Sequence, residues 1–383
     1  MAKNNILMLH GSSDLYGASK IFLVTAQLLK EEGHGVTVIL SEDGPLVGAL
    51  KDLGIHVKLL RLGIIRRKYF NLKGLLNRAK VMRNAIKTLK KLATEEGITH
   101  IYSNTAAVWV GAFVAKGLNL RHIWHLHEII LKPSWFGWAM GKMINRFAHK
   151  VIVVSEAVQN HWSRFVSEEK LALIYNGINY KPYLCGHDHL RKTMGIPAEA
   201  LVIGMIGRVN SWKGQEYFLE ISEELNKKFL NLYFILVGDP YPGDERLYEG
   251  LELNILKKKF NHKIYNLGFR SDIPRVLATM DIFILPSILP DPFPTVVLEA
   301  MASQKPIVAT AHGGALEMIS DGVTGVHIPW NAPEEAARKM EPLVEDENFR
   351  LKMGIKAKES VLNNFSLPSF REKILTVFSE EVN

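Results

Sequence analysis

The stretch DIFILPSILPDPFPTVVLEAMASQKPIVATAHGG, residues Asp281 to Gly314, decides the reading of this chain. Ile282 to Leu285 is a short apolar run of the kind that fills a buried strand, and a Pro-rich loop ends it. A helix is expected from about Thr295, and Pro306 to Thr310 reads as the next strand. Asp291 lies in the loop and Glu299 inside the helix, eight positions further on. A strand that feeds a helix N-terminus offers backbone N–H groups and a positive dipole end where a phosphate docks. A carboxylate one turn into that helix is placed to accept hydrogen bonds from a ribose diol.

The same strand-then-helix alternation runs through the whole chain, which predicts a doubly wound α/β architecture built twice over. In the first half Ile6–Leu9, Val36–Leu40, Val57–Leu60, His100–Ser103, Arg121–His125 and Val151–Val154 read as strands of a mostly parallel sheet. Helices are expected over Lys20–Glu32 and Leu72–Glu95. The second half restarts with Leu201–Ile206, Leu232–Val237, Lys263–Leu267, Ile282–Leu285, Pro306–Ala309 and Gly325–Ile328. The join falls between Asn176-Gly177 and Pro197, giving domains 1–182 and 183–366. A last amphipathic helix spans Leu367 to Val382. Ligands of open α/β sheets sit beyond the C-terminal strand ends.

At 383 residues the chain is long enough for two domains with separate cores. The longest apolar run, Ala106 to Ala115, is too short to span a membrane, and the N-terminus carries no secretory signal. A single cysteine, Cys185, leaves no internal disulfide and fits a reducing cytoplasm. Charge is uneven. Residues 1–182 hold 25 Lys/Arg against 12 Asp/Glu, and residues 183–383 hold 22 against 27. That asymmetry points to an anionic partner for the first half alone. No G-x-G-x-x-G fingerprint occurs, which argues against a dinucleotide enzyme.

The Asp281–Gly314 stretch resembles the signature of retaining glycosyltransferases of family 4, which have the GT-B fold of two Rossmann-like domains. There two acidic residues with seven between them flank an FG turn ahead of an EAMA helix. The spacing, Phe293 and EAMA (Glu299 to Ala302) are intact here. Asp291 stands where the family usually has Glu, and Pro294, which lacks a backbone N–H, where it usually has Gly. The N–H groups of Thr295, Val296 and Val297 remain as candidate donors.

The resemblance implies transfer of a sugar from a nucleotide-sugar donor, UDP preferred over GDP, to a saccharide or lipid-linked acceptor. Glu299 would hold the ribose. Asp291 would touch the transferred sugar, with a plain turn residue as the rival reading. Gly207-Arg208 ends a strand, and Lys213 opens the next helix. A fork-shaped Arg and a mobile Lys suit the charge growing on a leaving diphosphate. Two solvated cations are the rival, although the helix dipole disfavours them there. In the family this pair does the work of a metal, and no D-x-D motif occurs, so neither metal nor cofactor is expected.

In the first half the loop from Asp14 to Ser19 resembles the family's Gly-containing loop, with Gly17 allowing close approach. A helix-initiating turn is its rival. His127, at the end of a strand, matches the histidine that touches the donor sugar. His125 and His127 lack a third partner for a metal reading. Gly268-Phe269-Arg270 resembles the loop that sandwiches the base, and the PYPGDE loop after Gly238-Asp239 has no reading. The implied catalytic set is therefore His127, Arg208, Lys213, Asp291 and Glu299. The donor-binding set adds Gly17, Gly207, Phe269, Arg270, Phe293, Thr295, Val296 and Val297.

Residues 61–94 hold eleven Lys/Arg and no acid. Residues 132–150 add Trp135, Trp138, Lys142, Arg146 and Lys150. Cations interleaved with apolar residues suit an anionic membrane surface, with a solvated helix face as the alternative. No nucleic-acid motif accompanies the charge. The expected setting is cytoplasmic, peripheral on the inner membrane face. A GT-B protein that binds nucleotide without transfer, and a nucleotide-sugar epimerase, remain open alternatives.

Overall fold

A computed structural model describes residues 3–65, 69, 71–184 and 190–380. Cys185, the His187-Asp188-His189 triplet and residues 66–68 and 70 of the basic run lie outside the described residues. The chain forms two compact units, one comprising residues up to Ile178 together with Leu367 onward, the other Asn179–Ser366.

The first unit contains β1 (Asn5–His10), β2 (Gly35–Leu40), β3 (His56–Leu59), β4 (His100–Asn104), β5 (Arg121–Leu126), β6 (Lys150–Val153) and β7 (Leu171–Leu173). They pair in the order β3-β2-β1-β4-β5-β6-β7. Every pair is parallel, so the sheet is wholly rather than mostly parallel. Strands β1, β4 and β5 are buried along nearly their whole length, as a sheet covered on both faces requires. The reading above missed β7, because three residues, Leu-Ala-Leu, give no periodicity to detect.

The Leu72–Glu95 helix is capped by Asn71, whose side chain accepts the Gly74 N–H at 2.8 Å. Ala85, Leu89 and Ala93, spaced by four, bury its C-terminal half. Its N-terminal half exposes Leu72, Leu75 and Leu76. The Leu367–Ser379 helix belongs to this unit and buries Phe370, Ile374, Val377 and Phe378. Phe378 stacks on Tyr102 of β4, and Arg371 pairs with Glu31 and Glu32. The buried Arg121 reaches the Val377 carbonyl at 3.2 Å.

The second unit contains β8 (Leu201–Ile206), β9 (Leu232–Val237), β10 (Ile264–Asn266), β11 (Ile282–Leu285), β12 (Ile307–Thr310) and β13 (Gly325–Ile328). Their order, β10-β9-β8-β11-β12-β13, repeats the doubly wound scheme, again with parallel pairs. One core joins Phe218, Phe234, Ile282, Ile284, Val308 and Met340. The order changes direction between β8 and β11, and loops leaving the C-terminal ends of those two strands hold the candidate residues.

Candidate functional site

In the second unit, Gly207 and Arg208 leave the end of β8. Arg208 is buried, and its Cζ lies 3.6 Å from the centre of the Tyr241 ring. Stacking covers the face of a guanidinium and leaves its edge donors for other partners. Tyr241 belongs to the PYPGDE loop, for which the sequence offered no reading. Asn210 then turns the chain by accepting the Trp212 and Lys213 N–H groups at 3.1 and 2.8 Å. Gly214 follows at φ +81°, and a Cβ there would lie 1.9 Å from the Pro286 carbonyl oxygen. Only glycine brings the loop after β8 this close to the loop after β11.

That proximity pairs the Lys213 ammonium with the Asp291 carboxylate, both largely buried. Asp291 also receives the Ser287 hydroxyl, and its carbonyl accepts the Gly314 N–H at 2.8 Å. A Cβ on Gly313 would meet Asp291 backbone atoms at 2.4 Å, so the HGG turn wraps tightly on the acidic loop. His312, pulled down by burial, donates to the Ser287 carbonyl at 2.7 Å and braces the same loop.

The helix predicted from about Thr295 spans Thr295–Ala302, with Pro294 as its N-cap. One expectation needs correction. The Val297 N–H is bonded to the Pro294 carbonyl at 3.0 Å, because the first turn tightens by an i→i+3 bond. Thr295 and Val296 are left as the first-turn donors. Phe293 is buried edge-on to Phe365, with ring centres 5.5 Å apart. Glu299 is buried too, and the Tyr183 hydroxyl donates to its carboxylate. Burial and that carboxylate push the Tyr183 hydroxyl upward. Phe269 is exposed, and its N–H is fixed by Asp239 at 2.9 Å. Arg270 forks onto Asp272 at 2.8 and 2.6 Å, which holds the loop at the head of the Ile273–Thr279 helix.

In the first unit the helix after β1 starts at Gly17 rather than Lys20. Asp14 lies in the loop just ahead of it and accepts the N–H of the N-cap residue Tyr16 at 3.1 Å and the Ser19 hydroxyl at 2.9 Å. His127 follows the last residue of β5. Its Nε2 lies 2.9 Å from Asn104 Oδ1, and its ring centre is 4.2 Å from that of His125. Burial first, then His125 and His10, lowers the His127 pKa well below the usual imidazole range, so the ring is neutral. Glu128 accepts the Ala106 and His127 N–H groups near 3.1 and 3.0 Å, yet burial pushes it up to about 7. Thr105, the partner loop's β-branched residue, sits at φ +74°, a strained conformation of the kind that clusters at functional sites.

Burial also pulls His100 down to about 4 and His122 and His125 down to about 3. Unfolded imidazoles take up protons near pH 6.5, so these three favour folding above that pH and lose their contribution as pH falls toward 3–4. Glu128 has the opposite sign, since its raised value favours the folded state more as pH falls from 7 to 4.5. Three histidines outweigh one acid. The first unit is expected to lose on the order of 1 kcal/mol per histidine by pH 5.5, since a pKa unit is worth about 1.4 kcal/mol. Urea midpoints followed by tryptophan fluorescence between pH 7.5 and 5 check this, and a flat profile contradicts it.

Asn104, Glu128, Tyr183 and Tyr241 were not found from the sequence. An asparagine at a strand end or a tyrosine in a loop has no pattern of its own. Only their distances to His127, Glu299 and Arg208 mark them.

Two wholly parallel, doubly wound sheets, the second carrying Arg208 after a strand end and a Lys213–Asp291 pair ahead of the Glu299 helix, are the arrangement of the GT-B class of glycosyltransferases. Residues 16–181 match the family described as Glycosyltransferase Family 4, and residues 187–360 match Glycosyl transferases group 1. The chain belongs to this family of glycosyltransferases. Its fold is similar to that of Anabaena HepE in complex with UDP and glucose, at TM-score 0.85 and 27% identity, covering 99% of this chain and 100% of that one. It is 28% identical over 353 residues to a Campylobacter jejuni N,N'-diacetylbacillosaminyl-diphospho-undecaprenol alpha-1,3-N-acetylgalactosaminyltransferase, covering 87% of this chain and 88% of the relative. It is 23% identical over 390 residues to the Escherichia coli UDP-Gal:alpha-D-GlcNAc-diphosphoundecaprenol alpha-1,3-galactosyltransferase, covering 96% and 95%.

Proposed function

We propose that this protein is a retaining, metal-independent transferase that moves a sugar from a UDP-sugar to a saccharide or lipid-linked acceptor in surface polysaccharide synthesis. The observation that carries this reading is the second unit's set of buried Arg208, the Lys213–Asp291 pair and Glu299 buried within the Thr295–Ala302 helix. Glu299 takes the ribose hydroxyls. Arg208, Lys213 and the first-turn N–H groups meet the diphosphate, two fixed cations supplying the charge a metal would otherwise bring. Asp291 contacts the transferred sugar and holds Lys213. The sugar C1–O bond to the diphosphate breaks, and a C1–O bond to the acceptor forms on the same face. The acceptor proton passes to the departing diphosphate oxygen.

Two neighbours support the choice of UDP, HepE by its bound nucleotide and the Escherichia coli relative by its named donor. Nucleotide-activated hexoses generally carry an α-linked diphosphate, and the alpha-1,3 linkages named for both relatives fit retention. Screening UDP- and GDP-sugars by thermal shift tests the base, since a 100-fold excess over Kd stabilises by about 2.7 kcal/mol. Turnover that persists in EDTA is expected, and strict need for an added divalent ion overturns the metal-free step. Release of free nucleotide and an altered sugar without acceptor would instead indicate epimerisation. Replacing Glu299 by alanine is expected to weaken free UDP by roughly 1.5–3 kcal/mol, the scale of a lost charge-assisted hydrogen bond. Isothermal titration checks it, and unchanged UDP affinity refutes the ribose role.

The same reading includes docking of the first unit on an anionic membrane surface. Among the described residues, no helix is long and apolar enough to cross a membrane. Leu72, Leu75 and Leu76 are exposed beside exposed Lys73, Lys80 and Arg83. Trp135 and Trp138 are exposed on the Ser134–Phe147 helix, which shares the Val110–Leu118 helix as a neighbour. Lys90, in contrast, lies against Gly117 and is partly covered. Binding to anionic vesicles is expected at about 1 kcal/mol per engaged basic residue, weakening with salt. Neutralising Lys73, Lys80 and Arg83 should reduce it in a sedimentation assay. Equal partition onto neutral vesicles counts against it.

A further inference from the structure

We infer that Tyr241 is a positioning residue for Arg208: its ring, fixed by the turn that Tyr241 opens, holds the guanidinium in one orientation for the leaving diphosphate. The inference rests on the proposed meeting of Arg208 with that diphosphate, and it gives the PYPGDE loop a role.

The loop supplies a firm base for the ring. The Asp244 N–H donates to the Tyr241 carbonyl at 2.9 Å, and Gly243 sits at φ +94°. Pro242 cannot take the positive φ of a primed turn, so Tyr241-Pro242-Gly243-Asp244 is a type II turn with glycine where positive φ is required. Asp244 is also the N-cap residue of the Glu245–Leu256 helix, and the Glu245 carboxylate holds the Gly243 N–H at 2.7 Å. At its other end the loop is fastened beside Arg208 itself. Gly238, at φ +142°, comes so close that a Cβ there would lie 1.9 Å from the Gly207 carbonyl oxygen. On the other side of Arg208, the Val209 N–H donates to the Asp239 carbonyl at 3.0 Å. The backbone flanking Arg208 is thus bound to the loop that carries Tyr241.

Exposure decides which side chain holds the other. Arg208 is 7% exposed and Tyr241 41%, so the ring is the outer wall of a buried cation. The long arginine side chain has several rotatable bonds, and its backbone alone does not fix the plane of its guanidinium. A ring 3.6 Å from Cζ does fix it, and stacking occupies the face of the cation while using none of its N–H donors. Tyr241 touches no substrate in this scheme, and its effect passes through Arg208.

The test is steady-state kinetics of the full chain, with UDP binding measured alongside. Tyr241→Leu removes the ring and keeps the turn residues. It should lower kcat about five- to thirtyfold, the range of a desolvated cation–π contact, and change UDP affinity by less than about threefold. Tyr241→Phe keeps the ring and should retain most of the turnover. In an Arg208→Ala background, Tyr241→Leu should cost nothing further. Unchanged kcat in Tyr241→Leu overturns the inference, as does Tyr241→Phe failing equally. The same loss with and without Arg208 also overturns it, because the ring would then act on substrate directly. A second readout needs no substrate. In nitrogen-labelled chain, the Arg208 Nε–H signal, assigned by its loss in Arg208→Ala, should be shifted by the ring current and should return to the ordinary arginine position in Tyr241→Leu. If Tyr241→Leu does not fold, an ordinary position in the parent chain still overturns the inference. Full transfer by Arg208→Ala beside a shifted signal would instead refute the leaving-group role and leave the stack standing.

Discussion

Arg208→Ala is expected to lower kcat by about two to three powers of ten, the scale of losing a preorganised donor at a leaving group. The side chain is buried at the end of β8 and held over the Tyr241 ring at 3.6 Å, so its position is set before substrate arrives. Preorganisation of this kind contributes most when charge develops in the reaction, and UDP binding should fall by less than turnover. Lysine in its place should restore little, because a point charge cannot fork onto two oxygens. Steady-state kinetics with UDP binding measured in parallel distinguish these outcomes. A loss confined to KM would move Arg208 from leaving-group stabilisation to simple donor binding.

The Lys213–Asp291 pair carries the second large effect, this time on stability as well as turnover. Both groups are largely buried, and removing one partner strands the other charge. Lys213→Met or Asp291→Leu alone is expected to cost about 3–5 kcal/mol of second-unit stability. The double variant should recover most of it while transfer stays lost. Urea unfolding of the three variants with kinetics alongside checks this as a double-mutant cycle. Single variants as stable as the parent would mean that the pair is solvated. An active double variant would leave the pair as only a strut between the loops after β8 and β11.

Much of this was legible in the chain because its rules are local. The β8, β9, β11 and β13 runs, the Leu72–Glu95 helix and the Asp291–Glu299 spacing follow from apolar runs, helical periodicity and a loop-to-helix signal. Lys213 and Asp291 were each singled out for chemistry, but their mutual bond was not. It depends on Gly214 letting two loops 78 positions apart in their charges come together. The expected Val297 donor failed for a similar reason, since a tightened first turn is a matter of backbone angle rather than residue type. Asn104 and His127 are 23 residues apart and meet only because β4 and β5 are neighbours.

The Leu367–Ser379 helix closes the first unit although the whole second unit precedes it in the chain. On the ribosome the order of completion is therefore inverted. Residues 179–366 can finish their sheet while the earlier sheet still exposes the surface that Phe370, Ile374 and Phe378 will cover. Arg121 likewise waits for the Val377 carbonyl and Glu380 to answer its guanidinium. The nascent protein thus emerges with a finished second unit and an unfinished first one carrying an apolar scar. A stop codon a few residues before Phe370 would leave the later-made unit whole and the first-made one open to aggregation.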